Sequence, residues 1–275
     1  MVVYRVEEKE VKALAWHNDP CLVGIDEAGR GPVIGPMVYS AAVSTISNGG
    51  ELKKREFADS KVLTAEKRDE LFDEIQSDNL LCCFVDEISA SKISGLMLAP
   101  EKVNLNTIAF DSTVGLIQKC LDEGMNVEEV YVDTVGDASS YQAKLSGRFS
   151  GIKFTVKPKA DALYPIVSAA SIAAKVTRDR VIEGLGGDRG SGYPSDPKTK
   201  EWLSRSMDPI FGYDQAVRFS WGTVDKILQK GVVVDWECND EGDGKLTFTH
   251  ENKRKRETRH SYFNSRRLQK ARICM

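Results

Sequence analysis

Four carboxylates carry the chemistry this chain could do. Asp26 and Glu27 follow the apolar run Leu22 to Ile25, Asp133 closes the run Glu129 to Asp133, and Asp161 follows the run Gly151 to Val156. Each apolar run reads as a buried strand, so the acids stand at strand ends or in the connection just beyond. Buried carboxylates without partners are costly, and like charges close together raise one another's pKa. A cation resolves both problems. Oxygen ligands with no His or Cys among them select magnesium or manganese, and two such ions can activate a water and stabilise the leaving oxygen of a displacement at phosphorus.

The first acid pair leads into Ala28-Gly29-Arg30-Gly31-Pro32. Neighbouring strand residues point to opposite faces, so Asp26 and Glu27 serve one site only if the chain turns there; Gly29, Gly31 and Pro32 are expected to supply that turn. The glycines let backbone N–H groups approach a ligand, and Arg30 places a fixed cation between them. A dinucleotide-binding turn would need a small residue at position 34, where Ile34 stands.

The elements that must position these groups can be read in order. Val38 to Ile46 is expected to be the antiparallel return strand, closed by a Ser47 to Gly50 turn, and residues 1 to 20 a charged lead-in or edge segment. Thr64 is a candidate N-cap for a helix burying Leu71, Phe72 and Ile75, and Lys61, just ahead of it, is placed to bind an anion. Leu80 to Ile88 reads as a strand. A helix over 106–123 presents Phe110, Val114, Ile117 and Leu121 as its core stripe. In the strand ending at Asp133, Val130 and Val132 face one way, Tyr131 and Asp133 the other.

Pro165 starts a small-residue helix reaching about Gly184, with Ala169, Ile172 and Val176 inward. Its polar side offers Ser168, Ser171, Lys175 and Arg178, of which Ser168, Lys175 and Arg178 are candidate substrate contacts. A glycine-rich loop, Gly186 to Pro194, carries Tyr193 near its end, and short helices are expected around Trp202 and Ile227. Strands alternating with helices imply a mixed α/β (α+β) layer architecture.

Composition narrows the classes. At 275 residues and 41% hydrophobic content the chain can bury a sizeable core. No apolar stretch approaches the ~18 residues of a membrane span, and no signal-peptide core is present, which implies an intracellular protein with no membrane partner. Its six cysteines show no C-x-x-C spacing and read as reduced thiols, while the three histidines lie apart from one another and from every motif above, against a His-based triad or zinc site. No G-x-S-x-G is present.

The last 24 residues hold nine Lys or Arg against one Glu, so the overall −3 leaves −11 on the first 251. A boundary is expected near Val232, with 1–231 a catalytic domain including the C-terminal helices and 232–275 a charged tail. An acidic body binds phosphates only if cations sit on its carboxylates.

Several of these segments together resemble the type 2 ribonuclease H family: Gly24-Ile25-Asp26-Glu27-Ala28-Gly29-Arg30-Gly31-Pro32, Asp59-Ser60-Lys61, Val132-Asp133-Thr134 and Lys159-Ala160-Asp161-Ala162. Ser168 to Ile172 and Gly192-Tyr193-Pro194-Ser195-Asp196-Pro197 look like its eukaryotic branch, the catalytic (A) component of a heterotrimer. The likeness runs from Val23 to about Trp221.

The resemblance implies a ribonuclease-H-like fold, a central mixed sheet flanked by helices with a smaller C-terminal helical region. It implies a metal-dependent endonuclease that cuts the RNA strand of RNA–DNA hybrids and incises at single ribonucleotides in duplex DNA, leaving a 3′-hydroxyl and a 5′-phosphate. Asp26, Glu27, Asp133 and Asp161 match its metal-binding acids, for two magnesium ions or manganese in their place. Gly29, Arg30 and Gly31 match the loop that reads the 2′-hydroxyl, Tyr193 the tyrosine at the RNA-to-DNA junction, and Lys61 a phosphate contact. Accessory subunits B and C and a nuclear location are also implied, with the tail as the expected docking region. The alternatives are another two-metal nuclease, a strand transferase, or a non-catalytic scaffold; the last would be favoured by loss of an acid, and all four are present.

Overall fold

The computed structural model describes residues 3–5, 16, 18–55, 57, 64–77 and 79–232. Lys61 and the tail beyond Val232 lie outside them.

Six strands form one sheet in the order β1-β4-β3-β2-β5-β6. They are β1 (Val3–Arg5), β2 (Pro20–Ala28), β3 (Met37–Thr45), β4 (Cys82–Ile88), β5 (Asn126–Asp133) and β6 (Lys153–Lys157). From β1 to β2 every pairing is antiparallel, whereas β2, β5 and β6 run parallel. The mixed sheet expected from the sequence is therefore present, with β1 as the edge segment. All nine residues of β3 are buried, as a strand covered on both faces requires.

Helices cover both faces: α1 (Gly49–Lys54), α2 (Ala65–Ser77), α3 (Ala90–Leu98), α4 (Leu105–Asp122), α5 (Ala138–Arg148) and α6 (Pro165–Gly184). Cys21, Val23 and Ile25 of β2 pack with α4, while Leu22 packs with α2 and α6. Period-two alternation thus assigns each strand residue a layer. On the second face α6 approaches so closely that a methyl on Gly24 would overlap the carbonyl group of Ile166 and lie 2.6 Å from the Val167 nitrogen. Ala169, Ala170, Ala173 and Ala174 permit this approach, and all are buried.

Several expectations need correction. The proposed Ser47 to Gly50 turn is a 3₁₀ turn, Ile46–Asn48, running into α1. In α4 the buried stripe includes Val114 and Ile117 but centres on Ala109, Thr113, Leu116 and Cys120, while Phe110 and Leu121 are only partly covered. The helix packs against β3 and β4, so the residues turned towards those strands form the stripe whether or not they are the most apolar. Nor is the polar side of α6 solvated at Ser168, Ser171 and Arg178: all three are buried, because α2 and the loop after β2 pack over the helix, while Lys175 stays partly exposed.

After α6 the chain forms α7 (Pro197–Ser206) and α8 (Gly222–Leu228), the short helices expected around Trp202 and Ile227. A small second core, Val33, Ile34, Leu203, Ala216, Val217 and Val224, packs this region against the loop after β2. No helix among the described residues is long and apolar enough to cross a membrane.

Candidate metal centre and substrate loop

β2 and β5 are parallel neighbours, with Ile25 opposite Val132, so Asp26 and Asp133 project side by side from the same sheet face. Tyr131, two residues before Asp133, packs with the α6 core, which confirms the orientation expected for that strand. Asp161 arrives from the 3₁₀ turn Ala160–Ala162, which Lys159 opens in the left-handed conformation, φ 57°. Two backbone bonds fix the arrangement: the Ala160 N–H donates to Asp133 Oδ1 at 3.0 Å, and the Ala162 N–H to Asp161 Oδ1 at 3.0 Å.

One oxygen from each of Asp26, Asp133 and Asp161 lies within 4.8 Å of the other two. Asp26 and Asp161 are 4% and 3% exposed. Burial first, then the Glu27 charge and later that of Asp133, lift the Asp26 carboxyl well above its usual range, while hydrogen bonds from Ser171 and the Glu27 N–H (2.7 Å) oppose the rise. Three carboxylates held this close are a donor set that fits a hard divalent ion.

The chain does not turn at the acid pair. β2 continues to Ala28, with Glu27 opposite Tyr39 and Ala28 opposite Val38. Glu27 therefore leaves on the α4 face, outside the three-acid group, and its charge reaches Asp26 from across the strand end.

The turn comes at Gly29, φ 78°, and its carbonyls point inward. Arg218, fully buried, donates from Nε to Gly35 O (2.9 Å), from Nη1 to Arg30 O (3.0 Å) and from Nη2 to Gly29 O (2.6 Å). Trp221 Nε1 donates to Gly31 O at 3.0 Å and its ring lies 4.8 Å from the Arg218 guanidinium. In a trans peptide the carbonyl and the following N–H point in opposite directions, so the N–H groups of Arg30 and Gly31 face away from these clamps. Neither Arg218 nor Trp221 stands out by motif; the available signal was a lone arginine inside the apolar run Ala216-Val217-Arg218-Phe219.

Arg178 lies directly beneath Gly29, where a methyl would overlap its Nε and Cδ. It is 6% exposed, its Nη1 is 3.5 Å from Asp179, and its Nε and Nη2 make no hydrogen bond. Burial lowers its pKa, and the charge of Arg178 adds to the burial that lowers that of Arg218. Tyr193 is 46% exposed, with its ring edge 3.3 Å from a methyl built on Gly31. Its loop is tied to the first by the Val33 N–H donating to Gly192 O at 2.7 Å.

The structure separates two further candidate contacts. Ser168 is a correction: it is fully buried and donates to Phe57 O at 3.0 Å, so it holds the chain ahead of α2 and cannot touch substrate. Lys175 is half-buried and sits 3.4 Å from Asp179.

A sheet whose parallel strand ends gather acids for a divalent ion, beside a clamped glycine loop and buried arginines, defines a metal-dependent phosphodiester hydrolase. The comparisons make this specific: the chain belongs to the ribonuclease HII family, whose model matches residues 23–224. The A subunit of ribonuclease H2 from Arabidopsis thaliana is 48% identical over 242 residues, covering 85% of this chain and 82% of that protein. The corresponding human A subunit is 46% identical over 271 residues, covering 92% and 91%. The crystal structure of ribonuclease H2 from Pyrococcus horikoshii superposes with a TM-score of 0.67 at 35% identity, over 76% of this chain and 98% of that one. The chain thus groups with the catalytic subunits of eukaryotic ribonuclease H2, which are metal-dependent ribonucleases.

Proposed function

We propose that this chain cuts the RNA strand of RNA–DNA hybrids and incises 5′ of single ribonucleotides embedded in duplex DNA, leaving 3′-hydroxyl and 5′-phosphate ends. The observation that carries this reading is the inward clamping of the Gly29, Arg30 and Gly31 carbonyls by Arg218 and Trp221. It presents the Arg30 and Gly31 N–H groups outward, as donors suited to a ribose 2′-hydroxyl, the group that distinguishes RNA from DNA.

Asp26, Asp133 and Asp161 would hold magnesium, or manganese in its place, with Glu27 beside them; two ions per site is part of the proposal. Bound there, the metal supplies Lewis-acid stabilisation of charge at phosphorus and activation of water. The residues do the rest. Ser171 and the Glu27 N–H orient Asp26, the Ala160 N–H orients Asp133, and Arg178, buried beneath Gly29, adds positive charge under the loop on which a phosphate of the cut strand would lie. Tyr193, exposed beside Gly31, stacks on the sugar or base next to the ribonucleotide. Lys61 is proposed as a further phosphate contact.

Roles in ribonucleotide excision repair and RNA primer removal, and a nuclear location, follow as proposals. Relatives named as the A component of ribonuclease H2 support partner subunits, proposed to be B and C, and we assign their docking to residues 232–275; deletion of 232–275 is expected to prevent their co-purification.

A nicking assay tests the activity, using a duplex with one embedded ribonucleotide, a hybrid and an all-DNA duplex, each with magnesium or chelator. Metal-dependent cleavage of the first two alone is expected. Cleavage of the all-DNA duplex, or none of the single-ribonucleotide duplex, would overturn it.

A further inference from the structure

Ser40 of β3 is fully buried, and its Oγ has no hydrogen-bond partner among the described residues. An unpaired buried hydroxyl destabilises a fold, and alanine at the same place would avoid that loss. Ser44, on the same face of the same strand, shows the ordinary case: equally buried, it donates to Leu80 O at 2.7 Å.

What Ser40 faces follows from the sheet. Val38 packs with Ala174, and Ala42 with the α6 core, so Ser40, midway between them on β3, points to the α6 face. Its neighbours across the two ladders are Asp26 of β2 and Val85 of β4, and of these side chains only the carboxylate can accept from a hydroxyl. Directly opposed residues of antiparallel strands have Cβ atoms ~4.5–5.5 Å apart, so rotation about χ1 can bring the Ser40 hydroxyl to an Asp26 oxygen.

Asp26 thus stands between two strands that offer different groups. Toward β5 lies Asp133, gathered with Asp161 so that one oxygen of each acid is within 4.8 Å of the others; toward β3 lies Ser40. Asp26 Oδ1 already accepts from the Glu27 N–H at 2.7 Å. A carboxylate has about four lone-pair sites, enough for that bond, a divalent ion and one further donor.

We infer that Ser40 is a positioning residue for the metal centre: its hydroxyl donates to the Asp26 carboxylate when a divalent ion is bound, and so fixes the direction in which Asp26 presents its remaining lone pairs. The inference rests on the proposed reading of Asp26, Asp133 and Asp161 as metal ligands.

The test compares full-length wild type, Ser40→Ala and Ser44→Ala, melted first in chelator and then over a magnesium series with no nucleic acid present. In chelator Ser40→Ala should melt at or above wild type, because it loses only an unpaired group, whereas Ser44→Ala should melt lower, because it loses a bond to Leu80 O. Magnesium separates them the other way. The concentration needed to raise the melting temperature should be about tenfold higher for Ser40→Ala, as loss of a ligand's outer partner implies, and unchanged for Ser44→Ala. Cleavage of an RNA–DNA hybrid should follow, with half-saturating magnesium about tenfold higher in Ser40→Ala and KM for the hybrid unaltered.

Two results would overturn the inference and leave the metal reading intact: Ser40→Ala melting below wild type in chelator, which would mean that its hydroxyl is bonded without metal, or an unchanged magnesium dependence. If neither magnesium nor manganese raises the wild-type melting temperature or supports cleavage, the metal reading fails and takes this inference with it.

Discussion

Arg218 Nη2 donates to the carbonyl oxygen of Gly29 at 2.6 Å, joining residues 189 positions apart. A buried guanidinium from the C-terminal region therefore shapes the loop that follows the first acids. Arg218→Ala would strand three buried carbonyls and leave a cavity, and should destabilise by at least about 3 kcal/mol in urea titration. Arg218→Lys keeps the charge but not the planar fork, and should lose roughly 1–3 kcal/mol. Assayed well below its melting temperature, the lysine variant should still cleave poorly. Near-normal cleavage would show that the loop holds its shape without the clamp.

Burial, helped by the Glu27 charge, raises the Asp26 pKa above its unfolded value, which fixes the sign of a second expectation. A group raised on folding favours the fold below its unfolded pKa, about 3.8, and that contribution is lost as pH rises through the folded value. At neutral pH, without metal, burying the Asp26 carboxyl therefore costs the fold stability. Asp26→Asn should raise the melting temperature in chelator by at least about 2 °C while abolishing cleavage, and should remove the stabilisation that magnesium gives the wild type. Because protons compete for the same carboxylates, that stabilisation should fade towards acid pH. A variant less stable than wild type in chelator would mean that Asp26 is not under charge strain.

Much of this site was legible because strand alternation is a strict rule. It placed Asp133 with Tyr131 on one face, and it warned that Asp26 and Glu27 diverge unless the chain turns; β2 runs on to Ala28, and they do diverge. Ser168 misled because a serine amid alanines looks like a polar face, whereas its hydroxyl is satisfied inside by Phe57 O. α3 and α5 were not anticipated: both follow strands through short caps at Ser89 and Asp137, α3 is only nine residues long, and α5 carries few apolar residues. Arg218 and Trp221 were invisible for another reason: their partners are backbone carbonyls, and no side-chain pattern announces a carbonyl.

The two loop glycines should respond differently to alanine. At Gly29, φ 78°, a methyl meets Arg178 and lies 2.6 Å from Pro36 O, so both backbone and packing object. At Gly31 its nearest neighbour is the Tyr193 ring at 3.3 Å, which can move. Gly29→Ala should lower stability and reduce kcat/KM by more than about tenfold, as a loss above 1.4 kcal/mol implies. Gly31→Ala should melt nearly as wild type, and its activity loss should shrink in a Tyr193→Ala background. Matching melting losses would refute the distinction.

Tyr193 owes its position to a latch that can be cut separately. Asp196 accepts from the Ser191 N–H (2.6 Å), the Ser191 hydroxyl (2.7 Å) and the Lys198 N–H (3.0 Å), and the Gly192 N–H donates to Thr199 Oγ1 at 3.0 Å. Those bonds to Asp196 pull its carboxyl down to about 2. For a lowered acid the stabilisation is present above the unfolded value, 3.8, and is lost only as pH falls towards about 2, so the latch is intact throughout the neutral range. Asp196→Ala should free the Tyr193 loop while leaving the ring present. A single ribonucleotide offers one junction for the ring to find, whereas a long hybrid offers many registers. Asp196→Ala should therefore impair single-ribonucleotide cleavage several-fold more than hybrid cleavage, with Tyr193→Ala setting the upper limit of that ratio. Equal losses on both substrates would make Tyr193 a packing residue, and a selective loss in Tyr193→Ala alone would show that the ring finds its place without the latch.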